Sequence, residues 1–272
     1  MTKLSLNDAW NETAAFVKRE WRLLAPIALL LNALPMAFAS AMMPTFTPQR
    51  GLEPGLWLLA LPIAAFVGII GNVAICWLAM SSGRSVGEGL KRGAARFLPL
   101  FALYLLVGLG VGFLFIIVAI LAGLMFPGFD PQAPNPGALV GVGLLLVLIM
   151  VPILLYISVR LMMAAPVAAA EEGGPIAIAK RSLALTKPVF WPLLGFLVLT
   201  SILSVVIQTV VTTIAGIPVL LVAGPPTQGG ISQVLLLLVG AAITTVVTVY
   251  LTTMVARIYL HLSGRTNADV FA

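Results

Sequence analysis

Positive charge occupies every second gap between the long apolar runs of this chain. Of the 15 Lys and Arg residues, only Arg50 lies outside these gaps. The basic clusters are Lys3/Lys18/Arg19/Arg22, Arg84/Lys91/Arg92/Arg96, Arg160/Lys180/Arg181/Lys187 and Arg257/Arg265. Cytoplasmic loops keep Lys and Arg, whereas translocated loops lose them. The alternation therefore predicts six membrane crossings with both termini in the cytoplasm.

The composition excludes an ordinary soluble domain. The chain is 61% hydrophobic and 9% charged, whereas soluble domains carry about 25% charged residues. Its net charge of +6 does not indicate nucleic-acid binding, because the basic residues lie beside the apolar runs. They are typical of residues that set topology and attract anionic headgroups. We expect membrane lipids as partners and no nucleic acid.

Six stretches are long enough to span a bilayer, which takes about 20 mostly apolar residues. These stretches are 23–43, 56–80, 98–126, 138–160, 192–222 and 232–258. All six must be helices, because hydrocarbon cannot satisfy open backbone groups. The fold class is therefore all-α, a single membrane domain over residues 1–272. Kinks are predicted at the prolines within the spans, Pro35, Pro62, Pro152 and Pro218.

Each predicted inner connection carries an amphipathic segment typical of a helix in the membrane interface. Capping residues mark two starts, Ser5 with Asp8 and Ser85 with Glu88, and Pro175 suits a first helical position. The pairs Lys91-Arg92 and Lys180-Arg181 match, as do the sequences starting at Ser82 and Ser263. We predict three hairpins, each preceded by an interfacial helix, in repeats of about 5–82, 83–171 and 172–265.

Chemistry-bearing residues are sparse within the spans. They contain no Asp, Glu or Lys, which argues against ion-coupled transport through carboxylates. The single histidine, His261, cannot form a His-based metal cluster, so no metal or other cofactor is expected. We interpret His261 as an interfacial side chain, with a headgroup contact as the second interpretation.

The last two spans carry polar side chains at intervals of four residues. The stripes are Thr200, Ser204, Gln208 and Thr212, and Thr244, Thr248 and Thr252. Small hydroxylated residues let helices approach and bond, so the first interpretation is that the stripes pack on each other. The alternative is a polar crevice for a headgroup, with Gln208 as its bulkiest polar group. The pairs Gly108/Gly112 and Gly137/Gly141 are predicted to be close helix-packing points.

The segment from Arg160 to Trp191 holds the densest polar residues. Glu171 and Glu172 are predicted to bind the basic faces of neighbouring interfacial helices. Acid–base catalysis is the alternative, but the sequence shows neither a pocket nor a partner base. The candidate headgroup or interface contacts are Lys91, Arg92, Arg160, Glu171, Glu172, Lys180, Arg181, Gln208 and His261.

This segment resembles one bacterial family. The residues that carry the resemblance are Arg160, Pro166, Glu171/Glu172, Gly173, Gly174, Lys180-Arg181-Ser182 and Trp191-Pro192. They are similar to a signature of the membrane domain fused to some glycerophosphoryl diester phosphodiesterases and of its small stand-alone relatives. The resemblance implies a six-helix inner-membrane protein. It does not carry over catalysis, since this sequence shows no soluble catalytic domain with Glu, Asp and His ligands.

We therefore expect a non-enzymatic protein of the bacterial inner membrane. It would bind, present or translocate lipids or amphiphiles at the cytoplasmic leaflet. The alternative is a structural or regulatory scaffold for another membrane protein, or a homo-oligomer. An intramembrane enzyme is a third hypothesis, disfavoured by the lack of catalytic groups.

Overall fold

The chain is an all-α protein with six helices long and apolar enough to cross a membrane. The structure, a computed structural model, describes residues 6–43, 55–81, 83–126, 136–224 and 230–264. Within these residues there is no strand. The predicted fold class and the number of spans are confirmed, and the protein is an integral membrane protein. The side of the membrane on which the termini lie, the hairpins and the threefold repeat stay predictions.

The described residues form nine α-helices. A π-helical segment, Leu29–Ala33, joins the first two, and a 3₁₀ turn, Lys187–Val189, joins the seventh and eighth. The helices are α1 Leu6–Ala28, α2 Leu34–Ala41, α3 Trp57–Met80, α4 Val86–Met125, α5 Pro136–Leu161, α6 Ala164–Ala170, α7 Pro175–Thr186, α8 Phe190–Ala223 and α9 Ile231–Ser263. The short helix α6 was not predicted.

Two of the three predicted interfacial helices are not separate helices. The helical run Asn7–Ala41 has 35 residues and α4 has 40. At 1.5 Å per residue they measure about 52 and 60 Å, whereas the hydrocarbon core is about 30 Å thick. The amphipathic segments are therefore the first turns of the spans themselves, projecting beyond the hydrocarbon. The third, α7, is set off from its span only by the 3₁₀ turn Lys187–Val189.

Capping explains how two of these segments begin. The Glu88 N–H donates to the Ser85 hydroxyl at 3.3 Å, and the Ser85 N–H donates to the Glu88 carboxylate at 3.0 Å. This reciprocal pair confirms the predicted capping box at the start of α4. Pro175 occupies the first turn of α7, as predicted. Ser5 of the other predicted capping pair lies outside the described residues.

Of the four prolines predicted to kink their helices, one coincides with a change of helix type. Just before Pro35 the chain turns π-helical, and the Leu34 N–H donates to the Leu29 carbonyl five residues earlier. Because Pro35 has no N–H to continue the α-helical ladder, the turn accommodates an extra residue there. The helices α3, α5 and α8 continue through Pro62, Pro152 and Pro218.

The most deeply buried side chains collect at one end of the bundle. There α3, α5 and α9 end, while α1 and α4 enter the apolar region, and one apolar cluster joins them. The short helix α6 lies within this cluster and contacts α3, α4, α7 and α9. Five of its seven residues are alanines, and all five are buried or half-buried, because small side chains let helices approach closely. The packed end is the predicted cytoplasmic end.

Glycines lie at close contacts between helices. Only some of the glycines that the sequence predicted for this role do so. A Cβ at Gly93 of α4 would lie 2.5 Å from the Ile70 carbonyl oxygen of α3. Gly141 of α5 packs on the Phe126 ring, as its predicted role requires. Gly108 and Gly112 have open space instead. Their prediction as packing points is wrong, because that face of α4 turns away from its neighbours.

Replacing Gly93 by Ala should loosen the α3–α4 contact. Ala favours a helix by up to about 1 kcal/mol over Gly, but overpacking against backbone costs about 1–3 kcal/mol. Gly93→Ala should therefore lower the thermal unfolding midpoint measured in detergent. The matched variant Gly108→Ala meets open space and should leave the midpoint equal or higher. Equal midpoints for the two variants would contradict this account.

Candidate functional site

Charged and polar side chains from α4, α7, α9 and the connection between α6 and α7 meet at the packed end of the bundle. Glu172, which follows α6, forms ion pairs with Arg96 of α4 at 3.0 Å and with Arg92 at 3.6 Å. Arg92 also donates from Nε to the Ala169 carbonyl at 2.9 Å. The Glu172 side chain is 85% exposed, so these pairs lie at the surface, where each contributes about 0–1 kcal/mol.

Glu171 is the better-buried carboxylate, with its side chain 21% exposed. Its Oε1 accepts a hydrogen bond from Arg181 Nε at 3.1 Å and another from the Tyr259 hydroxyl at 2.8 Å. One oxygen thus joins the connection between α6 and α7 to α7 and α9. The prediction that the acidic pair binds basic faces of the neighbouring interfacial segments is confirmed. Tyr259 had no signal in the sequence beyond being an aromatic residue near a helix end.

Arg160 stands apart from this cluster, in the last turn of α5. Its Nη1 donates to the Leu183 carbonyl of α7 at 3.3 Å, and the Ser182 hydroxyl donates to the Arg160 carbonyl at 2.7 Å. The guanidinium carbon lies 5.2 Å from the ring centre of Tyr156 and 5.7 Å from that of Phe190. Two aromatic faces thus attract the cation.

Arg160 has no carboxylate partner among the described residues. Its Nε is buried and has no hydrogen-bond partner among the described residues, and no carboxylate in the described part of the chain forms an ion pair with it. Tyr156 precedes Arg160 by four residues, so their proximity follows from helical spacing. Phe190 comes from the start of α8, and only the tertiary structure brings it near.

An apolar groove of about 370 Å³ runs between α4, α5 and α7, and Arg160 lines one end of it. We call it the Arg160 groove. The α4 wall extends from Leu103 through Gly110 to Leu114. At 1.5 Å per residue this wall is about 16 Å long, close to the hydrocarbon depth of one leaflet, about 15 Å. The α5 and α7 walls include Tyr156, Ile157, Leu161, Ala179 and Leu183.

Two further grooves flank α9. One, of about 280 Å³, lies between α1, α8 and α9 and includes Thr200, Ser204, Trp10 and Tyr250. The rings of Trp10 and Tyr250 stack there at 6.1 Å. The other, of about 310 Å³, lies between α9 and the segment from Ala33 to Ser40. The Arg160 groove is the one of these three lined by a cationic side chain.

The two polar stripes were predicted to pack on each other, and this is wrong for the four residues whose surroundings the structure shows: Thr200, Ser204, Thr244 and Thr252. The Thr252 hydroxyl donates to Asn72 of α3 at 3.2 Å, and Thr244 lines the groove against α2. Thr200 and Ser204 line the groove shared with α1. Gln208 lies exposed on α8. The stripes diverge because α9 turns Thr244 toward α2 and Thr252 toward α3.

The remaining predicted site residues lie around the same end of the bundle. His261 Nε2 lies 3.4 Å from the Glu12 carboxylate of α1, so this side chain faces another helix. Nearby, the Arg257 guanidinium carbon lies 4.9 Å from the centre of the Phe16 ring. Lys91 and Lys180 are exposed. The structure thus separates the predicted residues into an ion-paired cluster, the Arg160 groove, exposed lysines and the isolated Gln208.

Comparison with known proteins adds no relative to this description. A scan of protein-family models, a search of the curated proteins and a search of the solved structures each find no match to the chain. The functional argument therefore depends on the geometry of the site.

Removing the acidic groups should affect stability unequally. A hydrogen bond to a charged group contributes about 1.5–3 kcal/mol, whereas an exposed pair contributes about 0–1 kcal/mol. Glu171→Gln should therefore lower the unfolding midpoint in detergent more than the matched variant Glu172→Gln. Tyr259→Phe should destabilise the wild type but cost less in the Glu171→Gln background, as coupled residues do. Additive effects of these two changes would contradict the proposed bond.

Proposed function

We propose that this protein is a non-enzymatic protein of the bacterial inner membrane that binds anionic lipids or related amphiphiles at the cytoplasmic leaflet, for presentation or translocation. One observation carries the proposal: the Arg160 groove joins a cationic end to an apolar wall about as long as one leaflet is deep. An acyl chain fits the apolar wall. A phosphate or carboxylate headgroup fits the guanidinium.

The chemistry of Arg160 supports an anionic headgroup. A guanidinium presents a planar fork of donors that matches phosphate and carboxylate oxygens. Arg160 uses Nη1 toward the Leu183 carbonyl, and no carboxylate among the described residues forms an ion pair with it. The flanking rings of Tyr156 and Phe190 hold the cation at the end of the groove.

The surrounding charge supports the same class of ligand. Lys180 and Lys187 lie exposed on either side of the groove-lining Leu183 along the chain, and neither forms an ion pair with a described carboxylate. A basic residue near the surface attracts anionic lipid by about 1 kcal/mol. These lysines would concentrate anionic headgroups beside the groove. A protein that works beside lipids also agrees with the resemblance to the phosphodiesterase membrane domain.

A non-enzymatic role is part of the proposal. Glu171 and Glu172, the carboxylates considered for acid–base catalysis, are held by Arg181, Tyr259, Arg92 and Arg96. Such contacts favour a structural role, since both carboxylates are already held by neighbouring side chains. Glu171→Gln in a lipid-modification assay tests this part, and loss of such an activity would refute it.

Neutralising Arg160 should weaken binding of anionic lipid. Losing a charge-assisted bond costs about 1.5–3 kcal/mol, or about 10- to 100-fold in affinity. The measurement is native mass spectrometry of the purified protein titrated with phosphatidylglycerol or phosphatidylcholine. Arg160→Gln should lose phosphatidylglycerol adducts. Lys18→Gln removes an equal charge from an exposed position on α1, and this variant should retain the phosphatidylglycerol adducts.

A groove-filling variant tests the same proposal without changing charge. Gly110 lines the groove and has open space, and Gly108 has open space but does not line it. Gly110→Leu should therefore reduce lipid adducts, whereas Gly108→Leu should not. The proposal fails if folded Arg160→Gln and Gly110→Leu proteins both bind phosphatidylglycerol as the wild type does.

A second candidate function, a scaffold for another membrane protein, is favoured by the open face of α4. Gly108 and Gly112 are exposed there, and a Cβ added at either position would have no neighbour within 4 Å. Small residues of this kind let a partner helix approach closely. Cross-linking mass spectrometry of native membranes tests it. A scaffold would give a reproducible partner cross-linked near this face and lost in Gly108→Leu, with lipid adducts retained.

A further inference from the structure

Gln208 places an amide in the middle of an exposed helix. It lies near the midpoint of α8, Phe190–Ala223, and its side chain is exposed. The Thr212 hydroxyl donates to the main-chain carbonyl of Gln208. The side-chain amide itself has no hydrogen-bond partner in the described part of the chain.

The surroundings of this amide cannot satisfy it. Hydrocarbon offers neither donors nor acceptors, so an unpaired amide there costs several kcal/mol. A lipid headgroup does not reach it, because mid-span lies about 15 Å below the membrane surface. The partner must therefore be a polar group held at the same depth by another membrane-spanning segment.

The face of α8 around Gln208 can admit such a segment. Ser201 and Val205, within about 60° of Gln208 on a helix of 3.6 residues per turn, are also exposed. Small and β-branched side chains of this kind let a second helix approach closely. This face is separate from the Arg160 groove, to which α8 contributes no lining residue.

We propose that α8 forms a homodimer interface, in which Gln208 of one protomer bonds to Gln208 of a second copy of this chain. Copies with the same membrane orientation that form a closed dimer are related by a twofold axis along the membrane normal. Each residue near that axis then meets its own counterpart at equal depth. A primary amide donates and accepts, so two glutamines satisfy each other. A different protein would need a polar side chain at the same depth.

Association in lipid bilayers tests this proposal. Full-length protein labelled with a fluorophore is diluted into liposomes, and the dimer fraction is counted by single-molecule photobleaching. Gln208→Leu should weaken association about tenfold, the effect of losing two interhelical bonds of average strength. Gln208→Asn should retain more of it. Helical content measured by circular dichroism confirms that the variants fold.

Cysteine cross-linking tests the face. The chain has one cysteine, Cys76, which is buried. Two single-cysteine variants, Val205→Cys and Val210→Cys, are therefore made in a Cys76→Ala background. Val205→Cys, 63% exposed and on the Gln208 face, should cross-link to its counterpart under oxidation. Val210→Cys, 49% exposed and about 160° from Gln208 around the helix, should not.

Three results would overturn the proposal. One is a wild-type protein that stays monomeric at every lipid dilution. The second is an equal dimer fraction for wild type and Gln208→Leu. The third is a different membrane protein that cross-links at position 205 in native membranes while the self-cross-link is missing.

Discussion

Hydrocarbon solvates neither an ionised side chain nor an open backbone group, and the arrangement of this protein depends on that constraint. It forces the spans to be helices and moves nearly all charge to their ends. At one end, Arg and Glu side chains from different segments therefore meet in a small volume. Glu171 and Glu172 can then hold three helices through Arg181, Tyr259, Arg92 and Arg96.

Because the ion-paired end also contains the best-packed apolar cluster, the two ends of the bundle differ in character. Small residues of α6 fill the space between helices at the packed end. Toward the opposite end a groove opens between α9 and the segment from Ala33 to Ser40. The Arg160 groove starts at the packed end, so a cation and an apolar wall come together there. That combination is what distinguishes it as a candidate lipid site.

Sequence patterns predicted the features that depend on local chemistry. Hydropathy predicted the six spans, and residue spacing predicted the capping box at Ser85. Charge predicted that the acidic pair contacts basic helix faces. The patterns failed where the direction of a helix face matters. Gly108 and Gly112 were expected in a contact and face open space. Thr244 and Thr252 of α9 face α2 and α3 rather than α8. A stripe of small or polar residues shows which side chains share one face of a helix, but not which neighbouring helix that face contacts.

The sequence by itself determined that the chain is helical, crosses the membrane six times and collects its positive charge in alternate connections, because hydrophobicity and charge act residue by residue. Only the tertiary structure decided that Arg160 keeps an unpaired buried nitrogen beside a groove while Glu171 is held by Arg181 and Tyr259. It also decided that Gln208 is left outside the bundle. These outcomes depend on how each helix is rotated about its own axis, and that rotation is set by packing among all of them.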